Sequence, residues 1–274
     1  MISRRSFLKG GALLGGGLLL EGFVVEPRMV DITETRVQIN GLPAVFNGFR
    51  ICQITDVHHS SVVGLDYIKS VVEEANRLRP DLVLLTGDYI DTGRKYMAPC
   101  LEALSGVKAR YGTIAILGNH DYFIEKSYAE EVITSHKIPL LQNSHLLIES
   151  KGFTLCVAGV RDLLEDAPDA SAALKGVDLS VPRVLLSHHP DYAETLPADE
   201  RIDLVISGHT HGGQVRLPFG HAPVMPSNYG QKYSGGLVRL DSGTQVFVSR
   251  GIGVSMIPVR FNCPPELALI KLAA

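Results

Sequence analysis

Short apolar runs rich in Val, Ile and Leu recur along the chain, each followed by a polar cluster and then a stretch of helical spacing that stops at Gly or Pro. The principal runs are Phe49 to Thr55, Asp81 to Thr86, Gly112 to Leu117, Phe153 to Val160, Arg183 to Ser187 and Asp203 to Ser207. They predict core strands. Between the first two, Leu65 to Leu78 places Ile68, Val71, Val72, Ala75 and Leu78 at helical spacing and stops before Pro80. Tyr96 to Arg110 and Glu125 to Lys137 predict two further helices. Upstream, Asp31 to Asn40 alternates polar and apolar residues and predicts an edge strand, which puts the start of the domain near residue 28. From Gly236 onward, Leu237 to Leu240, Val246 to Ser249 and Leu267 to Leu272 read as strands separated by Gly and Pro. Strands alternating with helices are the grammar of an α/β fold.

The polar clusters carry the chemistry. Thr55 is followed by Asp56-Val57-His58, Thr86 by Gly87-Asp88, Leu117 by Gly118-Asn119-His120-Asp121, Ser187 by His188, and Ser207 by Gly208-His209-Thr210-His211. Ligands of open α/β sheets bind at the carboxyl ends of the strands. Steps of 32 residues (56 to 88) and 31 residues (88 to 119) match one strand-helix crossover each, so the clusters should converge on that edge. Carboxylates and an amide oxygen supply hard ligands, while imidazoles favour Mn, Fe or Zn over Mg or Ca. Holding two cations about 3.5–4 Å apart needs a bridging carboxylate, and Asp88 is the best candidate.

Together these five ordered motifs resemble the signature of calcineurin-like metallophosphoesterases. Gly208-His209-Thr210-His211-Gly212-Gly213-Gln214, Ser249-Arg250-Gly251-Ile252-Gly253 and Arg260-Phe261-Asn262-Cys263-Pro264-Pro265-Glu266 are similar, within that family, to exported phosphodiesterases of the YkuE/YaeI type. The resemblance implies a four-layer α/β/β/α sandwich with mixed sheets. It also implies that Asp56, His58, Asp88 and His211 bind one divalent ion and that Asp88, Asn119, His188 and His209 bind a second. His120 matches the family's non-ligand histidine, which stabilises phosphoryl charge or protonates the leaving group, and Asp121 would orient and charge it. A hydroxide shared by the two ions is the nucleophile that the resemblance implies, directed at a phosphodiester or a pyrophosphate-linked ester.

The N-terminus adds a location. Arg4, Arg5 and Lys9 precede an apolar, glycine-rich stretch from Gly10 to Leu20, and Ser3 to Lys9 resembles a twin-arginine export signal. Residues 1–27 are therefore expected to serve as a signal or anchor segment that meets the twin-arginine translocase, with residues 28–274 as the hydrolase domain. The expected site of action is the periplasm or the outer face of the cytoplasmic membrane, where contact with the membrane surface and a lipid-linked ester are open. A formal net charge of −3 and the lack of a basic run beyond residue 10 give no reason to expect nucleic acid. Cys52, Cys100, Cys156 and Cys263 lie far apart and read as buried small hydrophobes.

His59 and His189 neighbour the ligand positions, either as groups that touch substrate or as supporting or solvent-facing groups. Arg161 and Arg250 are suited either to a substrate phosphate or to structural ion pairs. The loop from Leu217 to Tyr233 is either plain packing or a lid. The rival functions are a UDP-diacylglucosamine pyrophosphatase of lipid A synthesis and a metal-bound scaffold without catalysis.

Overall fold

The computed structural model describes residues 20–197 and 199–274, so the string at Arg4 and Arg5 lies outside the described residues. Two sheets stack face to face. The first has the order β1-β11-β2-β3-β4, built from β1 (Asp31–Gln38), β2 (Arg50–Ile54), β3 (Leu82–Thr86), β4 (Thr113–Ile116) and β11 (Glu266–Ala273). Here β2, β3 and β4 run parallel, and β11 pairs antiparallel to β2 and parallel to β1. The second has the order β5-β6-β7-β8-β10-β9, from β5 (Ser144–Ser150), β6 (Phe153–Gly159), β7 (Arg183–Leu186), β8 (Leu204–Ser207), β9 (Gly236–Arg239) and β10 (Gln245–Val248). Its middle four strands are parallel, with antiparallel β5 and β9 at the edges.

The period-2 alternation of each strand sorts its side chains into two cores. Ile51, Leu82, Leu84, Ile114 and Ile116 point between the sheets and meet Val184, Leu186, Leu204 and Ile206. Cys52, Ile54, Val83, Leu85 and Ala115 face the other way, under α1 (Leu65–Arg77), α2 (Met97–Leu104) and α4 (Lys126–Ser135). The stripe Ile68, Val71, Val72 and Ala75 predicted for α1 is the stripe it buries, and full burial of such a side chain is worth roughly 1.5–3 kcal/mol. A thinner cover, α5 (Ala170–Ala173) and a 3-10 turn at Pro190–Thr195, closes the outer face of the second sheet. A four-residue helix, α3 (Asn119–Tyr122), follows β4 directly.

Two elements differ from the sequence expectation. The helix expected over Tyr96 to Arg110 stops at Leu104, where Gly106 and Val107 bond back to the carbonyls of Ala103 and Leu104. The apolar spacing persists beyond it because Val107 and Ala109 still pack on the core. Strand β5 was not anticipated: it is an edge strand whose Leu146 and Leu147 are both exposed, so no apolar alternation marks it. It joins β6 through Lys151 and Gly152, both at positive φ, the pattern of a type I′ hairpin turn.

The first described residues are part of the body. Gly22 O accepts a hydrogen bond from Arg260 N at 2.9 Å. The buried Glu26 carboxylate takes the backbone N–H of Asn262 at 2.9 Å and that of Cys263. Among the described residues no helix is long and apolar enough to cross a membrane. All four cysteines are buried and unpaired.

Candidate metal centre

Five parallel strands from both sheets end on one edge, and each releases its chain into one of the polar clusters. After β2 come Asp56 and His58, after β3 Asp88, after β4 Asn119 and His120, after β7 His188, and after β8 His209 and His211. Asp56, His58, Asp88, His209 and His211 all take positive φ, between 48° and 67°. That region is sparsely used by residues other than Gly, is tolerated best by Asn, Asp and His, and gathers at functional sites. Each such turn stops the strand abruptly and lifts a side chain onto the shared edge.

Two glycines make the close approach possible. A Cβ on Gly118 would stand 2.3 Å from Asp88 Oδ1, and one on Gly208 would stand 2.1 Å from Asp56 Oδ2. Neither gap can be opened without moving a carboxylate. Gly208→Ala is expected to destabilise the protein by about 1–3 kcal/mol, the usual cost of overpacking, and to lower bound metal as Asp56 is displaced. Urea unfolding and elemental analysis check this, and an unchanged midpoint with full metal content would contradict the packing.

Three sets of side chains come within ligating distance of one another: Asp56, His58 and His211; Asp88, His188 and His209; and His58, Asp88 and His120. Asp88 joins the sets, with Oδ2 3.5 Å from His58 Nε2 and 3.2 Å from His188 Nε2. Its other oxygen accepts His120 N at 2.9 Å. His211 Nε2 lies 3.4 Å from Asp56 Oδ1 and 2.9 Å from His58 Nε2. Asn119 Oδ1 is 3.0 Å from His209 Nδ1.

The donor set fits divalent cations on its own chemistry. Burial pushes His58 down to about 3 and holds His209 and His211 well below the ordinary imidazole range, so all three keep neutral rings with a lone pair to give. His188 Nδ1 sits 2.8 Å from Thr86 O, an acceptor only, so Nδ1 carries the proton and the buried, unpartnered Nε2 is turned toward Asp88. Metal-binding histidines are commonly oriented by such a carbonyl. Burial opposes charge on His188, but Asp88, with Asp56 and Asp162 behind it, lifts its pKa well above normal. Asp88 is drawn well below the carboxylate range, with His188 overcoming its burial. Burial pushes Asp56 up to about 6, with His188 opposing and Asp88 adding to the rise. Buried carboxylates on Asp56 and Asp88 beside the neutral rings of His58, His209 and His211 are an arrangement that a cation completes, with the metal taking the place of the second proton that Asp88 draws onto His188.

Asp121 corrects the sequence expectation. Its carboxylate accepts the backbone N–H groups of Asp88, Tyr89 and Gly118, each at 2.9 Å, and it does not reach the His120 ring. It ties the loops after β3 and β4 together. His120 is oriented instead by Asp91, whose carbonyl oxygen lies 2.7 Å from His120 Nδ1 and whose carboxylate oxygen lies 3.9 Å away. A carbonyl can only accept, so the proton sits on Nδ1. Asp91 drew no attention in the sequence, although its place three residues after Asp88, ahead of a helix, was the available signal.

The other candidates resolve simply. His59 contacts Tyr96 O at 2.8 Å, and the His189 ring stacks 4.0 Å from that of His209, so both support neighbours. Arg250 pairs with Asp31 and Glu266, and Arg161 with Asp166, which makes them structural ion pairs. The cavity over the cluster measures about 380 Å³ and is lined by Asp88, Asn119, His120, His209 and His211 among others. Val224 and Pro226 from the Leu217 to Tyr233 loop reach its wall, as do Met256 and Ile257, which the sequence reading passed over.

Sheets that present two carboxylates, an amide and four histidines on one edge define a metal-dependent hydrolase scaffold. The chain belongs to the calcineurin-like phosphoesterase family, whose model matches residues 49–213. It is 33% identical to the Bacillus subtilis metallophosphoesterase YkuE over 99% of this chain and 98% of that one. Against the Escherichia coli phosphodiesterase YaeI it is 32% identical over 99% of this chain and all of the other. Among solved structures, Haemophilus influenzae NAD nucleotidase superposes with a TM-score of 0.51 at 19% identity, over 75% of this chain and 45% of that one, which shows a shared fold. The chain is thus a metallophosphoesterase, a hydrolase of phosphoric esters.

Proposed function

We propose that this protein is a dinuclear phosphodiesterase. The observation that carries the reading is Asp88, one carboxylate standing 3.5 Å from His58 and 3.2 Å from His188, between two groups of donors. Asp56, His58, His211 and Asp88 would hold one ion, and Asp88, Asn119, His188 and His209 the other. Two divalent ions, Mn, Fe or Zn by the nitrogen and oxygen donors, would supply an activated water and positive charge for the phosphoryl oxygens.

The chain's own residues do the rest. His120 lines the cavity, and with Nδ1 engaged by Asp91 its Nε2 is the nitrogen available to hold a proton for a substrate oxygen. Asp121 keeps Asp88 and Gly118 in register, so the ligand carboxylate and the His120 backbone stay fixed together. Val224, Met256 and Ile257 give the mouth an apolar wall. A diester suits the site because the YaeI relative carries that activity in its name.

His120→Ala should keep both metals and lose about 10²-fold or more of the hydrolysis of bis(p-nitrophenyl) phosphate, the size of a general acid–base contribution. Turnover equal to the unsubstituted chain would remove His120 from the mechanism. Run beside a monoester and a nucleotide-linked lipid, the same metal-reconstituted protein should prefer the diester. A clear preference for the nucleotide-linked lipid would favour a pyrophosphatase instead.

A further inference from the structure

The floor of the histidine cavity is polar and its mouth is not. Met256 is 94% exposed, Val224 73% and Ile257 53%, and all three line the wall. In the loop that carries Val224, the tip closed by the Leu217 N to His221 O hydrogen bond of 2.8 Å holds Phe219 fully in solvent. Single exposed apolar residues are ordinary on protein surfaces, but a set of large ones gathered around a polar site marks a contact surface.

That surface continues past the site. Gly22 packs on the segment that follows Met256 and Ile257, because a Cβ there would stand 3.2 Å from Val259 Cγ2. Phe23 and Val62 are both about half exposed, and with Pro258 they line a second cavity of about 250 Å³. Leu20 and Val24 are exposed beside them. Exposed apolar residues therefore recur from the site mouth, over residues 255–259, to the first described residues, with the charged Glu21, Arg28 and Asp66 among them. The sequence that joins there is the apolar stretch Gly10 to Leu20, preceded by Arg4, Arg5 and Lys9. Kept as an uncleaved anchor, this apolar segment with basic residues at its outer end would hold the adjoining face at a membrane surface. It is about half of the roughly 20 residues that span a bilayer comfortably.

We propose that this face docks on a lipid surface, with Phe219 and Met256 seated at headgroup depth and the histidine cavity opening toward the membrane. The phosphodiesters that reach the site are then those borne by membrane-embedded alcohols, with the phosphate on the polar floor and the alkyl portion against the apolar wall. This last clause rests on the phosphodiesterase reading, whereas the docking does not. The apolar composition of the adjoining segment favours lipid over a protein partner.

The test uses the full chain. Because the four native cysteines are buried, a single added thiol can be labelled selectively. Phe219→Cys, Met256→Cys and, as a control, Ser242→Cys each receive an environment-sensitive fluorophore. Ser242 is exposed in the turn before β10, at the sheet edge opposite the site. With vesicles of phosphatidylethanolamine and phosphatidylglycerol carrying a spin-labelled lipid, quenching is expected at 219 and 256 and not at 242. No quenching at 219 and 256, or equal quenching at all three, overturns the docking. Phe219→Asp should slow hydrolysis of a vesicle-embedded alkyl p-nitrophenyl phosphodiester several-fold while leaving that of soluble bis(p-nitrophenyl) phosphate unchanged, since Phe219 lies outside the cavity. Equal slowing of both, or of neither, overturns the substrate class. If the unsubstituted chain hydrolyses no soluble diester, the reaction falls while the quenching result stands.

Discussion

On the proposed dinuclear assignment, Asp88→Asn is expected to empty the centre of both metals at once. The substitution keeps the shape of the side chain, and Asn tolerates the left-handed backbone that Asp88 holds at φ 55°, so the loop need not rearrange. It removes one oxygen and the negative charge from a position 3.5 Å from His58 and 3.2 Å from His188. A neutral amide between two cations does not offset their repulsion. Elemental analysis should show the two ions falling together. Hydrolysis of bis(p-nitrophenyl) phosphate should fall by more than the roughly 10–100-fold typical of disturbing an outer partner of a ligand. Loss of only one ion would show that Asp88 serves a single site.

Asp121→Asn should act on stability in a way that a charge relay to His120 would not. One carboxylate oxygen takes Asp88 N and Gly118 N and the other takes Tyr89 N, and all of these bonds are buried. An amide must turn its NH₂ toward one side, so at least one backbone N–H meets a donor instead of an acceptor. A buried unsatisfied group costs about 1–3 kcal/mol, and each kcal/mol lowers the melting temperature of a domain near this size by about 2–4 °C. Burial, with Asp88 adding and the Gly118 and Tyr89 amides opposing, pushes the Asp121 pKa up to about 8. The donor geometry penalises Asn whichever protonation state Asp121 adopts. Urea unfolding checks the expectation. Unchanged stability with a large loss of turnover would return Asp121 to the role that its sequence position suggested.

That reversal shows where sequence reading ends. The ends of β2, β3, β4, β7 and β8 were legible because a buried parallel strand is a continuous apolar run, and each run stops where its polar cluster begins. Spacing brought Asp56, Asp88 and Asn119 to one edge, since each crossover has a standard length. Adjacency in the chain, by contrast, misled at Asp121: inside α3 consecutive side chains diverge, and its carboxylate is drawn inward by three amides. Asp91 was hidden for the opposite reason, because it acts on His120 mainly through a backbone carbonyl, which every residue possesses. Met256 and Ile257 form part of the site by being exposed, and no periodic pattern marks an exposed apolar residue.

The seam between the sheets also acquires a meaning from this arrangement. Asp56, His58, Asp88 and Asn119 follow strands of the first sheet, while His188, His209 and His211 follow strands of the second. Below them Gln53, on β2, donates to Ser207 O of β8 at 2.9 Å, a polar stitch between the two sheets. On the proposed ligand assignment each ion has donors from both halves, so it works as a clasp at the open end of a book whose pages are the two sheets. Whatever free energy the ions release on binding is then also cohesion between the halves, and the metal supply of the compartment sets how firmly the book stays shut.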